Sequence, residues 1–133
     1  MSARSILLAL TVFAFLVVGC SSQTNAPATS GDAQKFSNLQ GNANKGRTTF
    51  IGTCAACHGQ EAKGVPGLGK DLIKSDFAKN LSDADFILFL TKGRPGTDPL
   101  NTTKVDMPPR GGNPGLKDQD LADIVAYVRT LQK

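Results

Sequence analysis

The chain opens on an apolar run and closes on an amphipathic one. After Met1-Ser2-Ala3-Arg4, the thirteen residues from Ile6 to Val18 carry no charge and are interrupted only by Thr11. A membrane span needs about 20 such residues, so the run has the length of a signal-peptide core instead. From Ser21 to about Gly41 the pattern dissolves into Ser, Gln, Thr, Asn, Ala, Pro and Gly, too poor in large apolar side chains to offset the entropy of ordering. Periodicity returns at Asn44, where a first helix is predicted to run toward Cys54 with Gly46 and Phe50 four apart on one face. Ser82-Asp83-Ala84-Asp85 reads as a helix start with acidic residues in its first turn, followed by Phe86-Ile87-Leu88-Phe89-Leu90 and a stop at Gly93. The clearest helix spans 118–132: Leu121, Ile124, Val125, Val128 and Leu131 recur at three and four, Tyr127 sits beside the stripe, and Asp118 is the N-cap candidate. Stretches 59–80 and 94–116 hold most of the Gly and Pro and read as loops. The predicted class is all-α, with three or more helices and long loops.

A chain of 133 residues, 40% hydrophobic and 20% charged, fits one globular domain plus whatever its ends add. Aromatics are only 6% and there is no Trp, so an unaided core of this size would be marginal and something besides side chains is expected to fill the middle. The formal charge of +4 is mild and scattered, which excludes a nucleic-acid footprint. The expected organisation is a signal peptide over 1–19, a flexible tether over 20–40 whose Phe36 and Leu39 can dock, and the folded domain over 41–133.

The run ends Val17-Val18-Gly19-Cys20, which resembles a bacterial lipoprotein box, in which small residues precede a lipidated Cys. Lipidation of Cys20 would place the protein outside the cytoplasm, anchored to a bacterial membrane and facing the periplasm or the cell exterior. An ordinary cleaved signal and an uncleaved anchor are the alternatives.

Two cysteines remain, in Cys54-Ala55-Ala56-Cys57-His58. This is the attachment sequence for c-type haem: two thiols at this spacing on a short helical stretch each form a thioether to a porphyrin vinyl group, and the adjacent imidazole reaches the iron. A thioredoxin-like pair would need a βαβ context that the pattern lacks, and a zinc site would need a fourth ligand from a chain with no further Cys or His past residue 58. An exported disulfide is the remaining alternative.

His58 is the only His, so bis-histidine ligation within one molecule is excluded. Once Met1 leaves with the signal, Met107 is the only Met, and His/Met is a standard axial pair that raises the reduction potential. Met107 lies 49 residues past His58, far enough for the chain to cross a haem, and Pro108-Pro109 restricts the backbone behind it. A gap-filling core Met is the alternative. A filled sixth position favours electron transfer over catalysis.

With these residues in view, 41–133 resembles a class I cytochrome c domain: a Gly46/Phe50 helix, Cys54-Ala55-Ala56-Cys57-His58-Gly59, Met107-Pro108 and an Ile124/Tyr127 terminal helix stand in the family's order. The resemblance implies one haem c wrapped by helices and loops, thioethers at Cys54 and Cys57, iron ligands at His58 and Met107, and a crossing of Gly46 and Phe50 on Ile124 and Tyr127. Two departures stand out. Gly69-Lys70-Asp71-Leu72 has Lys where the family's turn commonly has Pro, whose carbonyl accepts the imidazole N–H, so Pro66 or another carbonyl is expected to serve. The Trp that bonds a propionate in several relatives is missing, leaving Arg94, Arg110 or Lys104 to supply charge. The function implied is a non-enzymatic, membrane-tethered carrier of single electrons among redox proteins such as quinol-oxidising complexes or terminal oxidases. The rivals are a haem subunit or domain of a redox enzyme, a gas sensor, and a fixed electron-input subunit. Asn101-Thr102-Thr103 matches a glycosylation acceptor and reads as chance in a polar loop.

Overall fold

The computed structural model describes residues 30–133. The expected signal peptide, Cys20 and the first part of the expected tether lie outside the described residues. Five α-helices follow in order, α1 (Ala43–Thr53), α2 (Ala55–His58), α3 (Asp76–Asn80), α4 (Asp83–Lys92) and α5 (Asp118–Leu131), with 3₁₀ turns at Gly31–Phe36 and Pro109–Gly112 and no strand among the described residues. The fold is the all-α architecture that the patterning predicts. None of the described helices is long and apolar enough to cross a membrane.

Three of the helices, α1, α3 and α4, start where a side chain accepts free N–H groups. Asn42 Oδ1 accepts from Asn44 and Lys45 at 3.1 Å each, Ser75 Oγ from Ala78 at 3.2 Å, and Ser82 Oγ from Asp85 at 3.1 Å. The last helix departs by one residue from expectation: Asp118 is its first residue, not its N-cap, because the Arg110 guanidinium holds that carboxylate at 2.7 Å. Asp120 instead accepts from the Lys117 N–H at 2.7 Å. Short α3 falls in a stretch that reads as loop, since five residues are too few to show a period.

α1 crosses α5 at Gly46, where a Cβ would overlap the Asp123 carbonyl. Phe50, fully buried, meets Tyr127 one turn on, with ring centroids 5.4 Å apart. This is the crossing that the sequence resemblance implies. α4 packs on the other side of α5, burying Phe86, Ile87 and Leu90 with Leu121, Val125 and Val128.

The expected tether needs correction over its second half. Residues 31–36 form the 3₁₀ turn, which lies along α4 with Ala33 and Phe36 buried, so Phe36 docks as the sequence allows and the packed part of the chain includes this turn ahead of residue 41. Two apolar contacts and a short polar clamp outweigh a composition that reads as linker. Ser30 donates its N–H to Asp85 at 3.1 Å and its hydroxyl to the same carboxylate, and Lys92 pairs with Asp32 at 3.4 Å. Hydrogen bonds from Ser30 and Ser82 hold the Asp85 carboxyl below its usual value. A lowered folded-state value adds stability that is present above the unfolded value and lost as pH falls through the folded one. Asp85→Asn is therefore expected to cost a little stability at neutral pH and to close the gap with the parent chain below a pH of about 4, read from urea midpoints across pH.

Candidate functional site

α1 runs directly into α2, and that junction fixes the motif. Cys54 ends α1, Cys57 and His58 lie in the single turn of α2, and His58 N–H bonds back to the Cys54 carbonyl at 3.0 Å. Both thiols are free in this structure, available for two thioethers. Among the described residues no group of three or more His, Cys, Asp or Glu converges as a metal site. Burial pushes the Cys54 thiol up to about 11, with Cys57 beside it adding to the shift, so before any covalent attachment this thiol is held protonated at neutral pH.

The loop after the motif turns back over it. Gly64 N–H bonds to the His58 carbonyl at 2.7 Å and Val65 N–H to the Cys57 carbonyl at 3.0 Å. Gly69 lies against the Cys57 backbone so closely that a Cβ there would overlap the carbonyl. That approach brings the Lys70 carbonyl to 2.9 Å from His58 Nδ1. The imidazole donates Nδ1–H to this oxygen, leaving Nε2 as the lone-pair nitrogen. The acceptor is therefore Lys70, at the position where the family turn has Pro, and Pro66 is not used. A carbonyl belongs to the backbone, so the side-chain change leaves the acceptor in place.

Met107, which lines the same cavity, sits in an extended segment clamped to Arg94, each residue's N–H donating to the other's carbonyl at 2.8 Å. Gly93, at φ +67°, lets the Met107 carbonyl pack where a Cβ would stand. The pair closes the neck of loop 95–106, and Asn101 fills it. This amide is only 7% exposed; it donates to the Val105 carbonyl at 2.7 Å and to Pro95 at 3.1 Å, and accepts from Thr103 and Lys104. Asn101 is thus a buried organiser of the Met107 loop, a role hidden by its match to a glycosylation pattern.

Cys54, Cys57, His58 and Met107 all line one cavity of about 220 Å³, whose walls include Phe50, Phe86, Leu90, Ile124 and Val128. The chemistry of this donor set fits a covalently attached iron porphyrin: two free thiols, an imidazole with its far nitrogen tied, a thioether, and apolar walls between them. Arg94 and Arg110 also line the cavity, whereas Lys104 does not. Arg110 is engaged by the Leu116 carbonyl at 2.8 Å and by Asp118, and Arg94 by Asp98 at 3.3 Å.

Residues 43–132 match the family model described as Cytochrome c. Among curated proteins, cytochrome c-555 of Chlorobaculum thiosulfatiphilum is 31% identical over 85 residues, covering 62% of this chain and 88% of the relative. Cytochrome c-555 of Prosthecochloris aestuarii is 33% identical over 62% of this chain and 81% of its own. Cytochrome c-554(547) of Halothiobacillus neapolitanus is 30% identical over 69% of this chain and 99% of its own. No solved structure matches significantly.

Proposed function

The chain belongs to the cytochrome c family, whose cofactor is covalently bound haem c, and from that premise we propose a membrane-tethered carrier of single electrons. In this reading Cys54 and Cys57 hold the haem through thioethers, and His58 Nε2 and Met107 Sδ ligate its iron. The observation that carries the assignment is the convergence of these four side chains on one apolar cavity.

Bound haem c supplies a one-electron iron couple. The chain does the rest. The Lys70 carbonyl orients the imidazole and makes its Nε2 a better donor. The Arg94 bridge holds Met107 to a fixed backbone. Phe50, Phe86, Leu90, Ile124 and Val128 exclude water, which sets the polarity around the iron. With both ligand types assigned, no Cys or His is left past residue 58 to serve as a catalytic base of those types, and no Cys, His or second Met to serve as an alternative ligand, which supports a carrier over an enzyme.

Lipid on Cys20 would hold the carrier to a bacterial membrane, on its periplasmic or outer side. Because Ser30 is clamped to Asp85, the leash from Cys20 is ten residues, reaching about 33–36 Å at most. That is half the reach of a tether ending at 40, and it favours partners embedded in or docked on the same membrane, such as quinol-oxidising complexes and terminal oxidases. The mild basic bias suits brief encounters with acidic surfaces.

The test is an absorbance spectrum of the detergent-extracted full-length holoprotein, ferric and ferrous, with and without carbon monoxide. Covalent c-type bands, a weak red ferric feature of Met ligation, and indifference to carbon monoxide are expected. Met107→Leu should lose the red feature and bind carbon monoxide while keeping its covalent haem. A parent protein that is high-spin or binds carbon monoxide would overturn the carrier reading in favour of an enzyme subunit or gas sensor. Cys20→Ser should release the protein from membranes if the anchor is lipid.

A further inference from the structure

Arg94 is held far more firmly than its place at a loop mouth requires. Its guanidinium lies 4.2 Å from the Phe77 ring centroid and 4.9 Å from that of Phe89. The two rings meet edge to face at 5.0 Å, and Asp98 closes the pair at 3.3 Å. The side chain is only 16% exposed. Phe77 comes from α3, Phe89 from α4 and Asp98 from the loop itself, so one residue ties three segments together. The same residue's backbone makes both hydrogen bonds to Met107.

We propose that Arg94 is the positioning residue for Met107: its planar cation, stacked on Phe77 and Phe89, fixes the backbone to which Met107 is clamped and so decides how often the sulfur leaves the iron. The proposal rests on the assignment of Met107 as a ligand. The physical argument is one of anchorage. Loop 95–106 is braced from within by Asn101, which spans the Pro95 and Val105 carbonyls, while Leu100 at its outer edge is 66% exposed. Its neck is closed by a two-bond bridge, and such a bridge is as steady as the segment on its far side. On the Met107 side the chain runs into Pro108 and Pro109; on the other, Arg94 is the first residue past the Gly93 helix stop. A guanidinium suits this place because its flat face stacks while its edge keeps a carboxylate, which an ammonium cannot do at once.

The readout is imidazole affinity of the ferric holoprotein, since an external ligand binds only when Met107 has left and its apparent affinity scales with that population. Arg94→Ala is expected to raise imidazole affinity by about tenfold or more and to weaken the red ferric feature. Arg94→Lys, which keeps the charge, should resemble Arg94→Ala. Phe77→Leu, a milder change at a half-exposed ring, should fall between these and the parent and keeps the test open if Arg94→Ala does not fold. Gln119→Ala, which removes bonds to the Gln40 carbonyl and Asp123 at the α1–α5 crossing, should leave imidazole affinity as it was. Parent-like imidazole affinity in both Arg94→Ala and Phe77→Leu, or full recovery by Arg94→Lys, would overturn the proposal. A parent protein without the red feature would instead overturn the Met107 assignment, so the two failures are distinct.

Discussion

Gly46→Val is expected to abolish folding, leaving a chain with little helical circular dichroism and no cooperative melt. Gly46 has no room for a side chain because the atom facing it is the Asp123 carbonyl, part of the α5 backbone. Overpacking against movable side chains costs about 1–3 kcal/mol; here two helix backbones must separate, and the consequences spread. Phe50 would leave Tyr127, and the Asp123 carboxylate would lose the Asn42 N–H, which it accepts at 2.7 Å to cap the start of α1. A stability of 5–15 kcal/mol is typical for a domain, and this crossing joins the two ends of the fold. The contrast within the same helix makes the result specific. Gly52 has nothing within 4 Å of its would-be Cβ, so Gly52→Ala is expected to stabilise by about 0.5–1 kcal/mol through helix propensity alone. Thermal melts of both variants, recorded in parallel, decide it. A Gly46→Val protein that melts like the parent would show that α1 and α5 have slack.

The crossing was legible in the sequence because it is local on both sides: a Gly four residues before an aromatic, and a terminal stripe repeating at three and four. The motif was legible for the same reason, since two thiols and an imidazole within five residues constrain one another whatever surrounds them. Met107 emerged by elimination, as the only Met left after the signal, and the structure brings it onto the same cavity as His58.

What could not be read depends on contacts between segments far apart in the chain. The acceptor for His58 is a backbone carbonyl, and no residue type announces which carbonyl will face inward; the Lys at 70 even pointed elsewhere. Asn101 looks like any loop Asn until the loop is closed around it. Asp123 stands among apolar residues on α5 as a polar interruption, and only the folded chain shows it capping a helix 81 residues away. The turn at 31–36 is composed like a linker; its Phe36 was readable as able to dock, but the burial of Ala33 and the placing of both along α4 depend on a partner that no local pattern reveals. In each case the informative quantity is a partner and not a residue type.

Arg129 makes the same point with a larger expected effect. Its fork reaches the Ala78 carbonyl at 2.8 Å, the Leu81 carbonyl at 2.7 Å, Gln132 Oε1 at 2.7 Å and Asp83 at 2.8 Å. It thereby ties α5 to the end of α3 and the link into α4. Asp83 is 68% exposed, so the ion pair itself contributes little; the carbonyls matter, because hydrogen bonds to a charged donor contribute about 1.5–3 kcal/mol each and partly buried acceptors left unpaired are costly. With water recovering some of that loss, Arg129→Ala is expected to cost about 2–4 kcal/mol. For a domain of this size that lowers the melting temperature by about 10–25 °C. Arg129→Lys should recover little, since one ammonium cannot span two carbonyls that a guanidinium reaches with separate nitrogens, whereas Asp83→Ala should cost under about 1 kcal/mol. If Asp83→Ala and Arg129→Ala cost the same, the charge pair and not the carbonyl clamp holds α3 and α4 to the terminal helix.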